Sequence, residues 1–161
     1  MRQKGFTLIE VLVVLAVGSV ITMGTVLTFY QIVWGAGRSN SQIVASTDAN
    51  QAALRVRKDL MMAHNTDMTD NVSQSGSVLL TWTDLTGDNY TDHSISYVLS
   101  GTELQRDYDG VVSITGRHIT DITFIQDGRV VNVAITATGS GTPQRSVTLD
   151  FDVYKRAEVL E

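Results

Sequence analysis

From Phe6 to Trp34 the chain is apolar on every side of a helical projection, and Glu10 is the only charged side chain in it. Val11 to Trp34 gives 24 residues without charge or proline. As a helix they span roughly 36 Å, enough for a hydrocarbon core of about 30 Å. After Gly35-Ala36-Gly37 the pattern becomes one-sided. Ala49, Ala53, Val56, Leu60 and Ala63 fall at i, i+4, i+7, i+11 and i+14, with Arg55, Lys58 and Asp59 largely off that stripe. The pattern predicts a nearly continuous helix from Phe6 to about Ala63, apolar all round in its first half and amphipathic in its second. His64-Asn65 and the polar run Thr66–Ser77 end it. Period-two patterning follows. Val78–Trp82, Ser94–Leu99, Glu103–Tyr108, Ile119–Ile125, Arg129–Thr136 and Val147–Val153 read as strands, Ser100-Gly101 as a turn and Asp127-Gly128 as a type I′ hairpin. Thr138–Gln144, with Pro143, reads as a loop. The predicted class is α+β: a long N-terminal helix whose second half packs on one antiparallel sheet over about 77–156.

The 161 residues suffice for one domain with a core. The balance of 12 Lys+Arg against 17 Asp+Glu, net −5, argues against nucleic acid as a bulk electrostatic partner. The absence of cysteine removes disulfide scaffolds, thiolate metal sites and cysteine nucleophiles together. A single proline argues against a proline-rich linker. No internal repeat or low-complexity segment is present.

Residues 1–5, Met-Arg-Gln-Lys-Gly, carry two cations and no acid. By the positive-inside rule they hold the short N-terminal end in the cytoplasm, with the rest of the chain outside. A cleaved secretory signal would have an apolar core of about 7–15 residues and a small-x-small site just beyond it. Here the run is longer, and Gly35-Ala36-Gly37 lies far in. A plain signal anchor fits the length but leaves Glu10 without a purpose, since a central carboxylate costs about 2–3 kcal/mol on insertion.

Lys4-Gly5-Phe6-Thr7-Leu8-Ile9-Glu10, followed by Val11-Leu12-Val13-Val14-Leu15, resembles the class III signal of type IV prepilins and type II secretion pseudopilins. The resemblance implies that a membrane-embedded prepilin peptidase cuts between Gly5 and Phe6 and that Phe6 becomes an N-methylated terminus. Glu10 would then be the fifth residue of the mature chain, matching the Phe6 amine in its own helix or on a neighbouring subunit. It divides the chain into a leader, 1–5, a transmembrane and filament-core helix, 6–34, and an extracytoplasmic pilin-like domain, 35–161. The implied partners are the peptidase, other pilin or pseudopilin subunits, an inner-membrane assembly platform and membrane lipid. The implied location is the inner membrane, then an extracytoplasmic filament serving protein transport or pilus extension. Chemically, glycine before the cut admits close approach to the backbone, and an ammonium in low dielectric needs a partner. Many members carry a proline in the apolar helix; this chain offers Gly18, Gly24, Gly35 and Gly37 as its weak points. Leu60 to Ala63, the stretch Ile95 to Arg106 and the close at Tyr154-Lys155-Arg156 look most like J-type pseudopilins and W-type minor pilins.

No cofactor is expected, and the sequence holds no nucleophile elbow, P-loop, HExxH or dinucleotide fingerprint, so no enzymatic activity is expected. His64, His93 and His118 share no metal-ligand spacing. Asp84, Asp88, Asn89 and Asp92, around Gly87, form the one oxygen-rich loop that could hold calcium, without the EF-hand spacing or its closing Glu. Such residues also favour plain turns. Trp82, Tyr90, Tyr97, Tyr108 and Tyr154 could serve partner contacts, but aromatic residues in strands are mostly core. The basic cluster Arg55-Val56-Arg57-Lys58 could touch DNA, but its side chains point different ways on a helix. Two alternatives stay open: a DNA-uptake or adhesive pilin, and a signal-anchored extracytoplasmic domain with no filament role.

Overall fold

The computed structural model describes residues 7–86 and 89–156. Among the described residues one helix, α1 (Leu8–Met62, 55 residues), is followed by nine strands. These are β1 (Asn65–Thr66), β2 (Ser73–Ser75), β3 (Ser77–Thr86), β4 (Asn89–Ser100), β5 (Glu103–Tyr108), β6 (Val111–Gly116), β7 (Ile119–Asp127), β8 (Val130–Thr138) and β9 (Ser146–Tyr154). The chain divides into two compact units at Gly37/Arg38.

The first unit is helix alone. The hydroxyls of its polar residues turn back on the backbone. Ser19 donates to the Ala16 carbonyl at 2.8 Å, Thr22 to Gly18 at 2.8 Å, Thr25 to Ile21 at 2.9 Å and Thr28 to Gly24 at 2.9 Å. A helix that satisfies its own hydroxyls presents a more apolar exterior, which suits hydrocarbon.

The second unit carries the α+β fold. The sequence predicts one antiparallel sheet; the structure has two. The five-stranded sheet runs β1-β3-β4-β5-β6 and the four-stranded sheet β2-β7-β8-β9, all neighbours antiparallel. Residues 38–62 of α1 pack on them through Ala45, Ala49, Ala52, Val56 and Leu60, all fully buried. Small residues at that spacing let the backbone approach the strands closely, and Leu80, Ile95, Tyr97, Leu104, Ile122, Phe124, Val133 and Ile135 fill the space between. Every buried apolar side chain among the described residues lies at or beyond Ala45. This unit therefore owns its core and folds on its own.

Three details differ from the sequence expectation. Ala53 is only partly buried, while Ala45 and Ala52 are fully so. Asp59, expected off the stripe, is 1% exposed. The type I′ turn falls elsewhere. At Asp127-Gly128 the loop is Gly128-Arg129, flanked by the pair Asp127 and Val130, with only Gly128 at positive φ, the type II′ pattern. The I′ pattern sits at Asp109-Gly110, where both residues have positive φ (48° and 87°) and close the β5–β6 hairpin.

Candidate functional site

Glu10 lies in the first turn of α1. Its amide donates to the Thr7 carbonyl at 3.1 Å and points at Thr7 Oγ1 at 3.4 Å. Thr7-x-x-Glu10 is thus the N-cap half of a capping box, and a carboxylate there also suits the positive end of the helix dipole. Around it the surface is lipid-like. The large apolar side chains from Leu8 to Trp34 are 48–82% exposed, and this is the one described helix long and apolar enough to cross a membrane. A carboxylate exposed at the end of such a surface is available to a cation brought by another molecule or by the chain's own terminus. Gly5 and Phe6, the expected cleavage residues, lie outside the described residues.

The oxygen-rich segment is the β3–β4 hairpin. Asp84 pairs with Thr91 and Thr83 with Asp92, so Asp84 and Asp92 project from opposite faces. Asp84 Oδ2 accepts from Trp82 Nε1 at 3.3 Å and Asp92 Oδ1 from Thr83 Oγ1 at 2.7 Å. Asn89 pairs with Thr86 at the hairpin end, and Asp88 lies outside the described residues. The structure does not bring Asp84 and Asp92 together.

The histidines are separate too. His118 Nδ1 meets Asp48 Oδ2 at 2.7 Å, tying α1 to the turn before β7. His93 clusters with Trp82 (5.4 Å) and Tyr108 (5.9 Å), whose rings also meet at 6.0 Å, and its Nδ1 lies 2.6 Å from Asp109 Oδ2. Asp109 is held below the usual carboxylate range by that bond first and by the Ser94 amide next. His64 lines a shallow hollow with His93 and Asp92. Among the described residues no three His, Asp or Glu side chains are placed to hold a metal. Arg55, Arg57 and Lys58 are all exposed. Arg55 leans toward Asp59 at 4.0 Å, and Arg57 lines a groove with Leu149, Asp150 and Phe151, so they form no single basic face.

Sequence reasoning missed the buried charge cluster of the second unit. Asp59 Oδ2 accepts from Arg106 Nε at 2.6 Å and from the Tyr97 hydroxyl, while Oδ1 accepts from Arg106 Nη2 at 3.3 Å. The Arg106 guanidinium also lies 5.0 Å from the Tyr108 ring centroid. Burial first, and the Asp59 carboxylate second, push the Tyr97 phenol well above its usual range. Asp59 lies beside Leu60 on the buried stripe, and that adjacency was the available signal. The cluster pins helix to sheet and is buried almost completely, with Asp59 1% and Arg106 6% exposed.

Residues 1–26 match the family model of the prokaryotic N-terminal methylation motif. No curated protein and no solved structure matches the chain. The motif and the apolar helix are consistent with a membrane-anchored protein. The chain carries a prokaryotic N-terminal methylation motif over residues 1–26, which supports a class III signal on a pilin-type, N-terminally processed protein.

Proposed function

We propose that the chain is a structural subunit, a minor pilin or pseudopilin of the J or W type, of a type IV pilus or type II secretion-like filament. The methylation motif over an unburied apolar helix carries this reading. Prepilin peptidase cuts between Gly5 and Phe6 and Phe6 is N-methylated. The C-terminal domain is outside, and α1 moves from lipid into contact with other subunits on the assembly platform. Glu10 neutralises an N-terminal ammonium, which keeps its charge on methylation. The work is mechanical rather than catalytic. Intact mass and the N-terminal peptide of the membrane-extracted protein test it: a chain starting at Phe6 with one added methyl is expected. An N-terminus retained at Met1 or Arg2 overturns it.

The Thr7–Glu10 cap supports a second reading, a plain signal anchor in which Glu10 only starts the helix. Glu10→Gln separates the two, because glutamine serves a capping box equally well but carries no charge. A chain that enters no filament and behaves alike with and without the charge favours the anchor, and filament incorporation lost in Glu10→Gln with intact insertion favours the filament.

A further inference from the structure

Asp-Gly occurs twice in the sequence, at Asp109-Gly110 and Asp127-Gly128, and the fold puts each at a two-residue β-hairpin turn. Aspartate before glycine is chemically labile, because glycine has no Cβ to hinder its own amide. That amide nitrogen attacks the protonated aspartate carboxyl at Cγ. The N–Cγ bond forms, the Cγ–OH bond breaks, and water leaves with the amide proton. The five-membered imide then takes up water at either carbonyl. Opening at Cγ restores aspartate, and opening at the backbone carbonyl leaves isoaspartate, with the chain rerouted through Cβ. One water is lost and one regained, so the change is an isomerisation that needs no co-reactant. Neither glycine is crowded: a Cβ on either would meet nothing within 4 Å. Sterics therefore do not separate the two sites.

Hydrogen bonding does. Asp109 Oδ2 lies 2.6 Å from His93 Nδ1, Oδ1 accepts from the Ser94 amide at 2.7 Å, and the Asp109 amide donates to the Ser94 carbonyl at 3.1 Å. The attacking group is held as well, since the Gly110 amide donates to Asp107 Oδ1 at 2.8 Å. The same bonds, that to His93 first, keep the Asp109 carboxyl below the usual carboxylate range, which depletes the protonated form that can lose water. Asp127 has none of these restraints. Its side chain is exposed and makes no hydrogen bond or ion pair among the described residues. Gly128 and Arg129 stand outside the β7–β8 ladder, and the Gly128 amide is bonded to nothing there. Asp127 and Val130 form the last rung of that ladder, and terminal rungs open most readily.

We infer that Asp127-Gly128 is a site of spontaneous isoaspartate formation, and that the fold shields the same dipeptide at Asp109-Gly110. The added backbone methylene enters between Gln126 and Arg129. Gln126 Oε1 accepts from Lys155 Nζ at 2.7 Å, and the Arg129 carbonyl accepts from the Lys155 amide at 2.9 Å. The modification therefore falls at the corner that holds the end of β9. It stands whether or not the filament reading holds.

Residues 38–161, which own their core, are aged at about pH 5, where a useful fraction of carboxyls is protonated. Trypsin then gives one peptide for each site, 107–117 and 118–129. An isoaspartate peptide keeps its mass, elutes separately and accepts a methyl group from isoaspartyl methyltransferase. Conversion at Asp127 is expected to run at least about tenfold faster than at Asp109, where a hydrogen bond to a charged carboxylate must break first. In denaturing urea the two rates should converge, because only the fold distinguishes the sites. His93→Phe keeps a ring beside Trp82 and Tyr108 but removes the bond to Asp109, and should speed conversion there several-fold in the folded protein. No isoaspartate at Asp127, or equal rates at the two sites in the folded protein, overturns the inference. A difference that persists undiminished in urea overturns the shielding by the fold. So does an unchanged rate at Asp109 in His93→Phe with the melting temperature retained.

Discussion

At the scale of the residue, the second unit is fastened by one buried carboxylate. Asp59 is held by two donors from Arg106 and by the Tyr97 hydroxyl, and all three residues are at most 6% exposed. Removing one member strands the others in low dielectric. Asp59→Ala is expected to cost about 3–5 kcal/mol in denaturant unfolding of residues 38–161, because it leaves the Arg106 charge unpaired. Tyr97→Phe keeps the ring packing and loses one bond to a charged acceptor, about 1.5–3 kcal/mol. The phenol also sets an alkaline limit. Burial, then Asp59, raises its folded value far above the unfolded one, so its contribution is complete below about pH 10 and lost as pH rises beyond. Unfolding free energy measured at pH 8 and pH 11 should fall between the two, and by less in Tyr97→Phe. An equal fall in both proteins would remove Tyr97 as the cause.

At the scale of the element, the loop after β8 is fixed to α1 by one close approach. Ser41 Oγ donates to the Gly139 carbonyl at 3.1 Å and accepts from the Arg145 amide at 3.0 Å. A Cβ on Gly139 would stand 1.8 Å from the Ser41 carbonyl oxygen. That atom is backbone, so the loop itself must move. Gly139→Ala is expected to cost about 1–3 kcal/mol, and Ser41→Ala to leave a carbonyl and an amide unpaired at a similar cost. Both should raise proteolysis at 139–145, and an uncleaved loop in Gly139→Ala would show that the approach is not limiting. This fastening was not legible in the sequence, because it joins residues 98 apart. The same holds for Asp59, whose partners lie on other strands. Strict alternation made β9 legible, and period two with a Ser-Gly turn made β4 and β5 so. β6 was missed although Asp109-Gly110 announced its turn, because Val111-Val112-Ser113-Ile114 does not alternate. β1 and β2 had no apolar signal at all, being held by pairing with β3 and β7. The split into two sheets follows from pairings that local pattern does not encode.

At the scale of the whole molecule, the two units obey different solvents. The described residues of the second unit bury a core of apolar side chains against one another, whereas those of α1 from Leu8 to Trp34 are open. Glu10 is the only charge on that open surface and belongs to none of the core contacts. A substitution there should leave the melting temperature of the second unit unchanged. Its effect, if the filament reading is right, appears only where α1 meets other molecules. Glu10→Ala removes both the charge and the side chain that a capping box needs at this position, while Glu10→Gln removes the charge alone. The expected result is membrane insertion retained in both, with filament incorporation lost equally in both. Incorporation lost in Glu10→Ala and kept in Glu10→Gln would assign Glu10 to helix initiation. Loss of insertion in either would mean that the charge acts before assembly, at the membrane itself.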